Sequence, residues 1–210
     1  MMRTINNIRK LPAPHDSGLK WLPQIEPQEA NSWDRTLWPI DVDEEITDRD
    51  INKLIGVLML IPNRELIVEI GVDRNPNRSF TRALIDNKPS GCVYVGIDTL
   101  DRSRIRNARK GIYFIQGDSS DMGLLESFMS EMGLKYIDLL FLDGDHSVNQ
   151  VVKDWRYSKW VRGAVVFHDT NAHPGPLLVF DAIDEYMWRK EKFFEKDPDY
   201  GMGVVWRLNV

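Results

Sequence analysis

The chain has 210 residues with 42% hydrophobic and 28% charged content, which fits one globular domain with an extension and excludes wholesale disorder. Its net charge of −5 gives no electrostatic case for a nucleic-acid partner or an anionic membrane surface. A single cysteine, Cys92, excludes an intramolecular disulfide framework and fits a reducing compartment; as a small apolar side chain inside a predicted strand it needs no chemical role. No apolar run reaches the roughly 18 residues that span a bilayer, and the N-terminus lacks the apolar core of a signal peptide, so a cytoplasmic location is expected.

Residues 1–45 carry five prolines and the tryptophans Trp21, Trp33 and Trp38 with little periodicity. Proline removes donors and breaks regular elements, so an irregular arm is expected. Its tryptophans favour packing on something: the active-site edge, a second subunit of a homodimer, or simply the domain surface.

The second unit, residues 46–210, is regular. Thr47 or Asp48 can cap a helix whose apolar positions Ile51, Leu54, Ile55, Leu58 and Met59 recur at helical spacing until Pro62. Strands are predicted at 66–70, 92–97, 112–115, 137–142 and 164–167, separated by helices at 79–87, 101–110, 121–132 and 147–160. Ser119, Ser120 or Asp121 can cap the third of these helices, and Asp145 or Ser147 the fourth. A further amphipathic helix is predicted over 177–189, then two strands at 193–195 and 203–208 joined by the turn-rich Asp197-Pro-Asp-Tyr-Gly201. Strand–helix alternation predicts an α/β fold with a mostly parallel sheet and helices on both faces. The last strand pair has no helix between its members and reads as an antiparallel hairpin.

Phe141-Leu-Asp-Gly-Asp-His146 closes the fourth strand and Phe167-His-Asp-Thr170 the fifth. If those strands are neighbours, Asp143, His146, His168 and Asp169 leave the sheet at its carboxyl edge, where open α/β sheets bind ligands. His173 follows in the next loop, so three of the four histidines gather there. An imidazole titrating near neutrality can serve as a general base, so His146 can take a proton from a substrate hydroxyl, or it can merely orient its loop. His168 reads either as a ligand or as a satisfied core histidine.

Taken together, the alternating strands, the terminal hairpin and these motifs resemble the class I S-adenosylmethionine-dependent methyltransferases, a Rossmann-like seven-stranded fold. The paired Asp-Gly-Asp-His and His-Asp-Thr motifs resemble its methyltransferase family 24 branch, which includes small-molecule O-methyltransferases and relatives of cephalosporin hydroxylase. The resemblance implies methyl transfer from S-adenosylmethionine to a hydroxyl of a small molecule. It places Glu69 and Gly71, in Glu69-Ile-Gly-Val72, under the methionine end of the cofactor, Asp98 on the ribose hydroxyls, and Asp118 and Ser119 on the adenine. It makes Asp143 a metal ligand near the sulfonium and aligns His168 and Asp169 with the remaining ligands of a divalent metal (Mg²⁺, Mn²⁺ or Fe²⁺). A histidine in that set favours Mn²⁺ or Fe²⁺ over Mg²⁺. Tyr200-Gly-Met-Gly-Val204 resembles the last strand of the branch. The first loop departs from the family: after Gly71 it runs Val-Asp-Arg74-Asn-Pro76-Asn-Arg78-Ser without the further glycines that let a cofactor approach the backbone.

Two alternatives stay open. His146, His168 and one aspartate could form the two-histidine, one-carboxylate face of a non-haem iron hydroxylase, or the fold could have become a non-catalytic binding protein. The run Arg102, Arg104, Arg106, Arg109 and Lys110 reads as a solvated helix face, and Trp155 and Trp160 read as core.

Overall fold

A computed structural model describes residues 48–73, 79–193 and 200–208. The predicted N-terminal arm with its tryptophans, Thr47, the first-loop residues 74–78 and most of the linker before Tyr200 lie outside the described residues.

Buried apolar runs supply the strands. β1 (Leu66–Ile70), β2 (Val93–Asp98), β3 (Ile112–Gln116), β4 (Ile137–Leu142), β5 (Val161–His168), β6 (Trp188–Phe193) and β7 (Met202–Arg207) form one sheet in the order β3-β2-β1-β4-β5-β7-β6. β1 to β5 pair in parallel, and β7 pairs antiparallel with both β5 and β6. This is the Rossmann-like methyltransferase fold expected from the sequence, including the antiparallel ending.

The helices divide between the two faces. α1 (Asp48–Leu60) and α2 (Phe80–Asn87) bury Leu54, Leu58, Phe80 and Leu84 against Ile67, Tyr94, Leu139 and Phe141. α3 (Met122–Glu131), α4 (Val148–Trp155) and α5 (Pro174–Ala182) cover the opposite face, where Leu125, Val151, Trp155 and Val179 meet Val68, Leu140, Val165 and Val205. Trp155 is fully buried and stacks 5.7 Å from Phe167, so its reading as core holds; Trp160 packs beside Tyr157. Cys92 is buried just before β2. No helix among the described residues is long and apolar enough to cross a membrane.

Caps explain the helix starts. Ser79, Asp121 and Ser147 each accept a backbone N–H of the first turn, at Arg82, Gly123 and Gln150. Two predicted helices are corrected. The segment 101–110 forms two short 3₁₀ turns, Ser103–Ile105 and Ala108–Lys110, in place of an α-helix. It buries no side chain in either turn, so no apolar stripe pays the cost of helix nucleation. The helix predicted over 177–189 begins earlier, at Pro174, and stops at Ala182; Trp188 instead opens the edge strand β6 with its indole buried. The fourth helix is also shorter, with Arg156–Trp160 continuing as a 3₁₀ turn.

At the amino ends of the strands, Asp138 ties β4 to its neighbours. Its side chain is 1% exposed; Oδ2 accepts the backbone N–H of Glu65 (2.7 Å) and Leu66 (3.0 Å), and Oδ1 accepts Arg162 Nε at 2.6 Å. Removing it strands two N–H donors and takes one partner from Arg162, whose Nη2 keeps Glu65 and the Asn63 carbonyl. Asp138→Ala is therefore expected to lower the urea-unfolding free energy by about 3 kcal/mol, with Asp138→Asn losing less.

Candidate active site at the carboxyl edge of β4 and β5

β4 lies beside β5 with Leu142 opposite Phe167, so the next residues, Asp143 and His168, leave adjacent strands side by side. His168 Nδ1 lies 3.1 Å from Asp143 Oδ1 and 3.1 Å from Asp169 Oδ1. The ring is walled by Phe80, 4.7 Å away edge-on, and by Tyr200, stacked at 6.3 Å. Asp169 has φ +61°, a left-handed conformation costly for a residue with a side chain, and it turns this carboxyl back toward His168. His146 Nε2 reaches the other carboxylate oxygen, Asp169 Oδ2, at 3.0 Å. The four residues singled out in the sequence thus converge.

Two glycines permit this approach. Gly71, at φ +84°, ends β1 so close to β4 that a Cβ would sit 2.1 Å from the Asp143 carbonyl oxygen. Gly175, in the first turn of α5, allows that helix to start against the His146 loop, where a Cβ would sit 2.1 Å from the His146 carbonyl oxygen. His173, immediately before α5, is thereby stacked on His146 with ring centroids 4.3 Å apart.

The electrostatics follow from burial and proximity. Burial alone would depress His168, but Asp169 and Asp143 outweigh it and hold the imidazole well above its usual range. Burial would raise Asp143, and His168 and His146 reverse this, leaving its carboxyl well below the usual range. His146 is also raised, Asp143 and Asp169 overcoming the burial penalty. The two carboxylates therefore favour positive charge on the imidazoles, and a metal ligated by His168 would take the place of its ring proton. Asp143, His168 and Asp169 present one ligand atom each within 4.8 Å of one another. His168 Nδ1 lies about 3 Å from an oxygen of each aspartate, a spacing compatible with bonds of about 2.1 Å to a shared ion, so these three residues could hold a divalent metal. A second set within the same reach is His146, Asp169 and His173. His146 and His168 fall in different sets, which corrects the predicted iron face of His146, His168 and an aspartate.

The residues expected to hold a nucleoside line the same edge further along. Asp98 ends β2; its Oδ2 accepts the Val72 N–H at 3.1 Å and its Oδ1 the Leu100 N–H at 2.8 Å, leaving lone pairs on both oxygens for a vicinal diol. Arg102 Nε lies 3.6 Å from Asp98 Oδ2 with its side chain only 13% exposed, so this arginine is not part of a solvated face as the sequence suggested. Asp118 accepts the Ser120 N–H and keeps an exposed carboxylate. The Ser119 hydroxyl turns inward, donating to the buried Asp154 at 2.6 Å and accepting from Gln150.

Glu69, expected under the methionine end of the cofactor, is held by its own buried hydrogen bonds. It is fully buried on the α2 side of the sheet, where Thr81 Oγ1 donates to Oε1 at 3.0 Å and the Tyr94 hydroxyl donates to Oε2. Gly96 stands opposite Glu69 in β2 and leaves room for that hydroxyl; a Cβ there would meet it at 2.9 Å. Thr81 Oγ1 also accepts the Asp73 N–H at 3.0 Å, so Glu69 acts on the first loop through Thr81. Thr81 and Tyr94 belong to no motif, and their roles arise only from packing; His173, gathered with His146 and His168 in the sequence, meets His146 at the start of α5.

No protein-family model matches the sequence, and no curated protein matches it. Among solved structures, the chain is similar to an O-methyltransferase from Bacillus cereus in complex with S-adenosylhomocysteine (SAH), with 16% identity, TM-score 0.54 and coverage of 82% of this chain and 85% of that one. It is similar to the TDP-rhamnose 3′-O-methyltransferase of calicheamicin biosynthesis at 12% identity, TM-score 0.52, covering 88% of this chain and 97% of that one. It also resembles the methyltransferase of the mycinamycin pathway, in complex with Mg and SAH, at 19% identity and TM-score 0.50 over 70% of this chain. The match spans 46% of that longer protein, about half its length.

Burial raises the Glu69 carboxyl to about 8, its Tyr94 and Thr81 hydrogen bonds only partly opposing the shift. A folded-state value above the unfolded one means stability present at pH 4.5 is lost as pH rises toward about 8. Each unit of separation is worth about 1.4 kcal/mol, so the loss amounts to several kcal/mol. Glu69→Gln is expected to flatten the unfolding free energy between pH 5 and pH 8.5, roughly the window set by this shift; parallel pH profiles for the two proteins would refute the assignment.

Proposed function

We propose that this protein transfers a methyl group from S-adenosylmethionine to a hydroxyl of a small molecule, with a divalent metal held by Asp143, His168 and Asp169. The observation that carries the reading is the convergence of these residues and His146 at the carboxyl edge of a methyltransferase-fold sheet. The similar structures named above support it: two contain SAH, and one of these also contains Mg.

The cofactor, when bound, supplies an electrophilic methyl group, and the metal supplies a Lewis acid for the acceptor oxygen. The chain does the rest. Asp98 accepts the ribose hydroxyls, and Asp118 the adenine amino group. Gly71 keeps the ends of β1 and β4 together, which supports placing the proposed nucleoside and metal residues side by side. Asp143 and Asp169 raise the basicity of His146, which accepts the acceptor's proton at Nε2. The displacement needs little covalent help from the protein, so positioning is its main contribution.

Calorimetry with SAH tests this reading. The wild-type chain is expected to bind, and Asp98→Ala to bind at least about 10-fold more weakly, the cost of losing hydrogen bonds to a charged acceptor. Equal affinities would remove the ribose contact, and a wild type that does not bind would end the methyltransferase reading.

A further inference from the structure

Asp169 divides its two carboxylate oxygens between different neighbours. Oδ1 faces His168 and Asp143, while Oδ2 faces His146. The side chain is 7% exposed, yet Oδ1 has no directed hydrogen bond despite lying 3.1 Å from His168 Nδ1. His146 Nε2 likewise has none despite lying 3.0 Å from Oδ2. Close polar atoms that share no directed hydrogen bond keep lone pairs available to a third partner such as a cation. His173 completes the arrangement: its ring lies against that of His146 at 26°, and a nitrogen of each, with an Asp169 oxygen, falls within 4.8 Å. Gly175 enforces this meeting of the β4 loop with the start of α5.

We infer that His146, His173 and Oδ2 of Asp169 form a second cation site, distinct from the Asp143, His168 and Asp169 set and joined to it by the Asp169 carboxylate. Donor chemistry separates the two. The first set offers two carboxylates and one imidazole; the second offers two imidazoles and one carboxylate, which selects a later divalent metal of the Zn²⁺ class. Occupancy of the second site takes up His146 Nε2. On the methyl-transfer reading, Zn²⁺ there captures the base and stops turnover; that consequence, though not the site itself, rests on that reading.

The test is calorimetric titration of Zn²⁺ into the chelator-stripped full chain. Asp143→Ala disables only the first set and is expected to retain one tightly bound Zn²⁺. Adding His173→Ala to it is expected to weaken that binding at least about 10-fold, the scale set by losing even an outer-sphere partner of a metal. Failure of Asp143→Ala to bind Zn²⁺, or equal affinity in the double variant, would overturn the site. Because His173 precedes a helix, a second measurement guards against misfolding: in the wild type, one equivalent of Zn²⁺ should shift the imidazole NMR signals of His146 and His173. A shift confined to other histidines would overturn the inference. Loss of the Zn²⁺ site with SAH binding intact refutes this inference alone. Absence of SAH binding refutes the methyltransferase reading and leaves the titration unaffected.

Discussion

The registration of β4 against β5 is the constraint on which the rest of the site depends. With Leu142 opposite Phe167, Asp143 and His168 have nowhere to go but alongside each other. The left-handed backbone at Asp169 then returns a second carboxylate to the same imidazole. The result is one buried ring nitrogen between two acids, an arrangement that opposes its own burial cost only by holding positive charge. A one-residue slip would send Asp143 and His168 to opposite faces of the sheet and dissolve the cluster.

The strand ends proposed to hold the nucleoside are organised less directly. Glu69 sets the first loop through Thr81 and Asp73, and Asp98 holds the same loop through the Val72 N–H. Arg102 lies against Asp98 as a counter-charge. The start of that loop, Val72 and Asp73, is therefore held by carboxyl groups from β2 and, through Thr81, from β1.

Sheet architecture and the central cluster were legible in the sequence because each depends on a strong local signal. Apolar runs ending in Asp or His mark buried strands whose carboxyl ends carry chemistry, and two consecutive strands without a helix between them mark the hairpin. Errors arose where local pattern and tertiary context diverge. Charges at 101–110 imitate a solvated helix, but no apolar stripe backs it. The polar residues of β6 imitate a helix tail because an edge strand leaves most of its positions only partly buried. The partners of Glu69 and the pairing of His146 with His173 depend on glycines 96 and 175, whose importance is visible only once the backbones they bring together are known.

The central claim is that Asp143, His168 and Asp169 form one cation niche beside a nucleoside crevice. Electron paramagnetic resonance of Mn²⁺, titrated into the full chain with and without SAH, tests it most directly. The account predicts loss of the free Mn²⁺ signal at one equivalent, a change in the bound spectrum when SAH is added, and no binding in Asp143→Asn. Equal Mn²⁺ binding in the wild type and the variant would contradict it.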